Sequence, residues 1–181
     1  VQGGKRKHKM NKNLLIVGAG IYAVVAWEIA EDMGCFEKID FVDDTKETAP
    51  NGNRVVGTTR DLGRLATEYS NIIVAIGEPK IRNSLLNQIK EETEYNIVSL
   101  VSPKAYVARS AQVEKGCIIE PMAVVHSLCV IAEGCIISSG AVINHAGKCA
   151  EAVHVDCNAT VAGHVLVPAG EKVKSGQVYD K

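Results

Sequence analysis

Four histidines in the C-terminal half of the chain carry the side chains best suited to moving protons near neutral pH. They are His126, His145, His154 and His164, and the positions 126, 145 and 164 are spaced by nineteen residues. A base that takes a proton as a nucleophile attacks needs a pKa near the working pH, and imidazole fits that task. Histidines outside a core are usually just solvated, so their meaning depends on the elements that carry them.

A second group of residues has the spacing of a phosphate-binding turn. Gly18 and Gly20 follow the apolar run Asn13–Val17 in the order GxGxxA, and they precede a helix-periodic segment that ends at Met33. Glycines let main-chain N–H groups and a helix N-terminus approach an anion, because no side chain holds the anion away. The pattern allows a nicotinamide cofactor, a nucleotide-linked sugar, or glycines that only permit close packing of strand and helix.

Apolar strands alternate with helical segments in the N-terminal half, which predicts a parallel α/β sheet. The later predicted strands are Ile39–Val42, Asn71–Ile76 and Ile97–Val101, and the later predicted helices are Asp61–Tyr69 and Lys80–Glu91. Ligands of such sheets bind beyond the carboxyl ends of the strands, so we expect a ligand site at that edge. Its predicted residues are Gly18, Gly20, Asp43, Asp44 and Gly77.

The C-terminal half repeats with a period of six residues. Apolar side chains recur without a break at Val101, Val107, Val113, Ile119, Val125, Ile131, Ile137, Ile143, Cys149, Val155, Val161, Val167 and Val173. Hexapeptide repeats are typical of stacked coils in parallel β-helices. The sequence therefore predicts a disordered tail or cloning remnant at residues 1–9, a parallel α/β domain at 10–100 and a β-helix at 101–181.

The cysteines favour burial over metal binding or disulfide formation. The chain has six cysteines and no CxxC pair, and four of them fall on inward positions of the repeat: Cys117, Cys129, Cys135 and Cys149. Small free thiols suit such positions. We therefore predict buried free thiols, an exposed Cys157 and no metal site.

Composition excludes several classes of partner. The net charge is −1, and four basic residues lie in the first nine positions, so the rest of the chain is more acidic and nucleic acid is not an expected partner. No segment has the roughly 20 consecutive apolar residues of a membrane-spanning helix, and we expect a cytoplasmic protein. A β-helix exposes flat faces and open ends, which favours a homotrimer in which copies pack side by side.

The chain resembles the sugar O-acyltransferase family at three places along its length. These are Asp43-Asp44 after the second strand, Val74-Ala75-Ile76-Gly77 followed by Arg82, and Ser102-Pro103 before the repeat. The family contains UDP-4-amino-sugar N-acetyltransferases of bacterial glycan synthesis and sialic acid O-acetyltransferases. The resemblance implies a Rossmann-like N-terminal domain at 10–100 that holds a nucleotide sugar, a left-handed parallel β-helix, and a trimer with acetyl-CoA between neighbouring β-helices.

The resemblance also implies a role for each candidate site residue. His145, in the pair Asn144-His145, matches the family's general base, and His154 matches a histidine near the acetyl group and the coenzyme. Lys148 is next to that site, so its charge could meet a phosphate of coenzyme A, and the alternative is an ordinary surface lysine. The nucleotide sugar would be bound by Gly18, Gly20, Asp43, Asp44 and Gly77.

Two departures keep alternatives open. The residue after the base is often acidic in the family but is Ala146 here, and Glu151 and Asp156 are carboxylates that could take its place. The repeat ends soon before Lys181, without the extra coil that family members use around coenzyme A. We expect an N-acetyltransferase acting on a nucleotide-linked amino sugar. The alternatives are an O-acetyltransferase of sialic acid or a related sugar, and an inactive trimeric homologue that only binds a nucleotide sugar.

Overall fold

The computed structural model describes residues 11–181, so the predicted tail at 1–9 lies outside the described residues. An α/β unit comes first within that range. Its elements are β1 (Asn13–Val17), α1 (Ile21–Met33), β2 (Lys38–Val42), β3 (Val55–Gly57), α2 (Leu62–Leu65), β4 (Asn71–Val74), α3 (Pro79–Glu92) and β5 (Asn96–Ile97). The strands form one sheet in the order β3-β2-β1-β4-β5, and every neighbouring pair is parallel. The predicted parallel α/β sheet is confirmed.

Fourteen two-residue strands follow in the described chain and form a left-handed parallel β-helix. They are β6 (Leu100–Val101), β7 (Tyr106–Val107), β8 (Gln112–Val113), β9 (Ile118–Ile119), β10 (Val124–Val125), β11 (Val130–Ile131), β12 (Ile136–Ile137), β13 (Val142–Ile143), β14 (Lys148–Cys149), β15 (His154–Val155), β16 (Thr160–Val161), β17 (Leu166–Val167), β18 (Lys172–Val173) and β19 (Val178–Tyr179). Every third strand joins the same sheet. The first sheet runs from β6 to β18, the second from β7 to β19 and the third from β8 to β17.

The second residue of each short strand points into the β-helix and the first points out, because side chains alternate along a strand. The inward residues build one apolar core from the predicted six-residue register. Cys117, Cys129, Cys135 and Cys149 are buried in this core as free thiols, and Cys157 is exposed, which confirms those predictions. Burial raises the pKa of the Cys149 thiol to about 12, so this thiol stays protonated.

One residue in each turn between strands has a left-handed backbone, again with a period of six. From residue 116 to residue 176, every sixth residue has a φ between 55° and 73°. Glycine occupies five of these positions, and the others hold Met122, Leu128, Ala146, Ala152, Asn158 and His164. A left-handed conformation costs an L residue about 1–2 kcal/mol. The coil geometry therefore dictates this conformation even where the sequence has no glycine.

Two predicted segments of the α/β unit were wrong in detail. The helix predicted at Asp61–Tyr69 is confined to α2, after a 3-10 turn at Thr59–Asp61. The strand predicted at Ile97–Val101 is two strands, because β5 pairs with β4 in the α/β sheet whereas β6 pairs with β9 in the β-helix. The chain passes from one sheet to the other within this segment.

The α/β unit covers the outer face of the first β-helix sheet. The outward residues Leu100, Ile118 and Ile136 are fully buried in a cluster with the alanine-rich face of α1. Small alanine side chains let the helix backbone approach the sheet closely. The next outward residue in the same row is His154, so the packing carries this histidine into the boundary between the two units.

Among residues 11–181, no helix combines the length and the apolar composition needed to cross a membrane.

Candidate active site

An open cleft lies beyond the carboxyl ends of β1, β2 and β4, at the edge where the sequence predicts a ligand site. Its volume is about 520 Å³, which is within the usual range of small-molecule sites. Three of the five predicted ligand residues line it, namely Gly18, Asp43 and Asp44. The remaining lining residues are Val17, Val42, Thr45, Thr59, Ile76, Lys80, Ile81, Ser84 and Leu85.

The glycine turn has the geometry that the motif predicts. Gly18 has a φ of 105°, and a Cβ atom there would lie 3.1 Å from the carbonyl oxygen of Ala75, so no other residue fits without strain. Gly20 is the N-cap of α1 and has no side chain that could bond the free N–H groups of the first turn. These N–H groups and the helix dipole favour an anion at this end of α1.

The main role of the Asp43 side chain is to hydrogen-bond the loops that form the cleft, and not to present a free group to a ligand. One carboxylate oxygen accepts hydrogen bonds from the N–H of Thr45, the hydroxyl of Thr45 and the N–H of Lys46, and the other accepts the N–H of Ala19 at 2.8 Å. Burial opposes ionisation of this carboxyl group, but the four hydrogen bonds outweigh burial and lower its pKa. Asp43 therefore ties the glycine turn to the loop after β2 through hydrogen bonds that favour its ionised form.

Asp44 and two residues of α3 offer polar groups to the cleft. Asp44 is exposed and accepts hydrogen bonds from the N–H and the hydroxyl of Thr59. Lys80 and Ser84 lie one helical turn apart on α3, and their side chains face the cleft. Sequence reasoning missed both residues, although a basic residue in the first turn after Gly77 was a usable signal for an anion site.

Gly77 lies at the domain boundary and does not line the cleft. Its carbonyl oxygen accepts an N–H of Arg82 at 3.0 Å and the Nδ1–H of His154 at 3.1 Å. Arg82 is fully buried and donates all five of its N–H groups to carbonyl oxygens, those of Ile76, Gly77, Gly134, Ala152 and Val153. Within the described residues it forms no ion pair. Arg82 therefore joins the α/β unit to two successive coils of the β-helix.

His154 is buried, with 6% of its surface exposed, although its side chain points out of the β-helix as predicted. Because a carbonyl oxygen only accepts, Nδ1 carries the proton in the contact with Gly77, and Nε2 accepts from the hydroxyl of Ser138 at 3.2 Å. Burial, together with the nearby charges of Lys172 and Arg82, lowers the pKa of His154 to about 4. The ring is therefore neutral near pH 7 and has both nitrogens engaged.

His145 has the opposite environment. It is exposed in the turn between β13 and β14, and the side-chain oxygen of Asn144 accepts both its backbone N–H and its ring Nδ1–H at 2.8 Å. Its Nε2 atom has no hydrogen-bond partner among residues 11–181. The ring lies against Gly163 of the next coil, where a Cβ atom would come within 3.0 Å of Cε1 and 3.1 Å of Nε2. In this arrangement Nδ1 is the bonded ring nitrogen, and Nε2 is the nitrogen left to act as a proton acceptor.

The predicted replacements for the missing acidic residue do not contact His145 in the structure. Asp156 pairs with Lys172 at 3.4 Å and accepts the N–H of Cys157. Glu151 is exposed, and no hydrogen bond joins it to His145. Asn144, one position before the histidine, occupies the orienting place.

Three histidines share one edge of the β-helix, as their spacing predicts. His126, His145 and His164 lie in the turns after β10, β13 and β16, and the rings of His145 and His164 are 5.1 Å apart. Lys148 is exposed on β14, the strand that follows His145. His154 lies on the first sheet instead, so a single chain does not bring the two predicted catalytic histidines together.

Comparison with known proteins supports the fold described above and the resemblance found in the sequence. Residues 13–89 match the family described as the PglD N-terminal domain. No curated protein sequence matches the chain significantly. The acetyltransferase domain of PglB from Neisseria gonorrhoeae is 28% identical, with a TM-score of 0.88 over 93% of this chain and 82% of that one. The same domain has also been solved in complex with acetyl coenzyme A, with the same similarity.

A more distant structure shares the fold. PerB from Caulobacter crescentus, in complex with CoA and GDP-perosamine, is 21% identical, with a TM-score of 0.74 over 93% of this chain and 89% of that one. The resemblance to hexapeptide-repeat sugar acyltransferases and the two-part fold predicted from the sequence are both confirmed.

Proposed function

Because the chain resembles hexapeptide-repeat sugar acetyltransferases over most of its length, we propose that it transfers the acetyl group of acetyl-CoA to the amino group of a nucleotide-linked amino sugar. The single observation that carries this proposal is the state of His145. An exposed imidazole with Nδ1 bonded and Nε2 free, on an uncovered edge of the β-helix, is what a general base for acyl transfer requires.

His145 acts as the proton acceptor in this proposal. The amine nitrogen forms a bond to the thioester carbonyl carbon, and one of its protons passes to Nε2 of His145. The carbon–sulfur bond then breaks, and the departing thiolate takes that proton from the imidazolium. The steps balance without an oxidant or another co-reactant.

The cleft suits a nucleotide-linked sugar. The free N–H groups at the start of α1 and the ammonium group of Lys80 favour phosphate, and Ser84 and Thr59 offer hydroxyl groups for hydrogen bonds. Gly18 keeps the backbone accessible, and Asp43 fixes the turn that carries Gly20. Asp44 is the carboxylate placed to accept hydrogen bonds from ligand hydroxyl groups.

His154 has a narrower role in the proposal than proton transfer. Its neutral ring couples the carbonyl oxygen of Gly77, at the end of the α/β sheet, to Ser138 on the β-helix. Because both ring nitrogens are engaged in these contacts, we assign it to fixing the boundary between the two units beside the coenzyme site, and not to a direct hydrogen bond with the acetyl group. Lys148 is assigned to a coenzyme phosphate, because its exposed ammonium group lies on the strand next to His145.

A homotrimer forms part of the proposal, because the outer face of the second sheet is apolar and uncovered in a single chain. Its outward row is Tyr106, Val124, Val142, Thr160 and Val178, and the first and last of these are more than half exposed. His145 follows β13 of this sheet, so a neighbouring copy on this face would also border the base. Val142→Lys should lower the mass measured by light scattering after size exclusion, whereas Gln112→Lys on the third sheet should not; equal masses for both variants would refute this interface.

The activity is tested by the release of free coenzyme A thiol. Wild type, His145→Ala and the matched control His126→Ala are compared with UDP-4-amino sugars and, separately, with sialic acids as acceptors. We expect His145→Ala to lose roughly 100-fold or more in kcat, the usual contribution of a general base, and His126→Ala to retain its rate. If wild type turns over no acceptor, the proposed acetyltransferase activity is refuted. If it turns over sialic acids alone, the acceptor group is a hydroxyl and not an amine. If wild type and His145→Ala have equal rates, the assignment of His145 as the general base is refuted.

A further inference from the structure

The oxygen atom that meets the ring of His145 belongs to a carboxamide. The side-chain oxygen of Asn144 accepts the backbone N–H of His145, which identifies that atom as the oxygen of the amide group. The same oxygen lies 2.8 Å from Nδ1. Nδ1 must therefore carry the ring proton, since an amide oxygen cannot donate.

The ring is restrained on two further sides. Gly163 leaves space for it to lie against the backbone of the next coil, where a Cβ atom would be 3.0 Å from Cε1. The ring of His164 meets it edge to face, at an interplanar angle of 86°. Both contacts come from the next coil, so they restrain the orientation of the ring but do not determine which ring nitrogen carries the proton.

From these contacts we propose that Asn144 is the positioning residue of His145. Its amide oxygen holds the ring in the Nδ1–H tautomer and so leaves the lone pair on Nε2, with a neutral amide in place of a carboxylate. An unconstrained imidazole in water prefers the proton on Nε2, and that tautomer would present a donor where the reaction needs an acceptor. The inference rests on the proposed function for its purpose. The tautomer itself can be measured without any substrate.

The first measurement is the ring ¹⁵N spectrum of the full chain at about pH 8.5, where imidazoles with pKa values near 6.5 are neutral. The signals of residue 145 are identified by their loss in His145→Gln. We expect Nδ1 to be protonated in wild type and in Asn144→Asp, which keeps an acceptor oxygen. In Asn144→Leu the proton should move to Nε2. An Nε2–H tautomer in wild type, or an Nδ1–H tautomer that survives in Asn144→Leu, would overturn the proposal.

The second measurement is the split between kcat and KM. Asn144→Leu should lower kcat by roughly 10- to 100-fold, the range found when the hydrogen-bond partner of a metal-ligating histidine is removed, and Asn144→Asp should restore most of it. The KM for acetyl-CoA should stay the same, because Asn144 acts through His145. A change confined to KM would overturn the positioning role.

Steric displacement of the ring gives an independent check. Gly163→Ala places a methyl group against Cε1 and Nε2 and should lower kcat without changing the tautomer. Gly63→Ala, where nothing lies within 4 Å of the added Cβ, is the control. A wild type that shows the Nδ1–H tautomer but no turnover with any acceptor would refute the proposed function and leave the contact with Asn144 established.

Discussion

Replacing Arg82 with methionine should lower the free energy of unfolding by about 3–5 kcal/mol, because methionine would leave buried carbonyl oxygens without their hydrogen-bond donor. Arg82 is fully buried, and its five N–H groups reach carbonyl oxygens on both units of the chain. Methionine fills much of the same space with a flexible apolar chain but donates no hydrogen bond.

The size of this loss in the free energy of unfolding depends on which of the five carbonyl groups accept a hydrogen bond from another donor besides Arg82. Gly77 also accepts from His154, and Val153 also accepts the N–H of Ile136. The carbonyl groups of Ile76, Gly134 and Ala152 accept from Arg82 alone within the described residues. Each buried carbonyl left without a donor costs about 1–3 kcal/mol, and removing the charge from a desolvated position offsets part of that cost.

Urea unfolding at one fixed protein concentration measures the effect, because an oligomer's stability depends on concentration. Trp27 is the only tryptophan and packs in the cluster between α1 and the β-helix, so its fluorescence reports on the boundary. Circular dichroism reports on the β-helix strands. In wild type we expect both signals to change together, and in Arg82→Met we expect the fluorescence to change at lower urea.

The matched control is Arg64→Met, since Arg64 is exposed and, among residues 11–181, its side chain pairs only with Asp61. Surface substitutions of this kind change stability by about 0.5 kcal/mol or less. A loss below about 1 kcal/mol in Arg82→Met, or coincident transitions in both variants, would show that the buried guanidinium does not join the two units.

Three further predictions concern stability. Burial depresses the pKa of His154 to about 4, so below about pH 6.5 the unfolded chain binds a proton that the folded chain does not. The free energy of unfolding should therefore fall by about 3 kcal/mol between pH 6.5 and pH 4. Urea titrations that show the same pH dependence in wild type and in His154→Gln would contradict this assignment. Leu128→Gly should raise the free energy of unfolding by about 0.5 kcal/mol, because glycine adopts the left-handed backbone of this position without strain. Leu166→Gly, in a strand, should lower it by about 0.5–1 kcal/mol. If thermal unfolding shows a change of the same sign for both exposed leucines, the strain argument is refuted. Gly134→Ala should lower the free energy of unfolding by about 1–3 kcal/mol more than Gly176→Ala. Both glycines have a positive φ, but only at Gly134 would a Cβ atom lie against a side chain of α3. Equal melting temperatures for the two variants would show that α3 shifts to accommodate the methyl group without a loss of stability.

The six-residue register was sufficient to predict the β-helix, because each inward position repeats the same environment. The sequence register extends from Val101 to Val173, and the structure continues it by one more strand, which ends at Tyr179. The polar aromatic side chain of Tyr179 hid that position from an apolar pattern. Ile97–Val101 was misread for a different reason, since a short apolar segment does not reveal that its two ends pair in different sheets.

The candidate site was predictable where local motifs place residues and unpredictable where packing does. Gly18, Asp43 and Asp44 follow apolar strands, and parallel strands bring such positions to one edge. Gly77 follows a strand as well, but its carbonyl oxygen is taken by Arg82 and His154 from the other side. No local pattern indicates that contact, because its partners are five and 77 residues away in sequence.

The two candidate histidines show what each level of description determines. The sequence alone determines that both side chains point out of the β-helix core and that His145 shares an edge with His126 and His164, because periods of six and nineteen residues translate directly into coil positions. Only the tertiary structure decides that His154 is buried and neutral, while His145 is exposed and its Nε2 has no hydrogen-bond partner in the part of the chain that the structure describes. The physical reason is that pKa and tautomer depend on which groups desolvate and hydrogen-bond the ring, and for His154 those groups come from the α/β unit, which no repeat in the β-helix can specify.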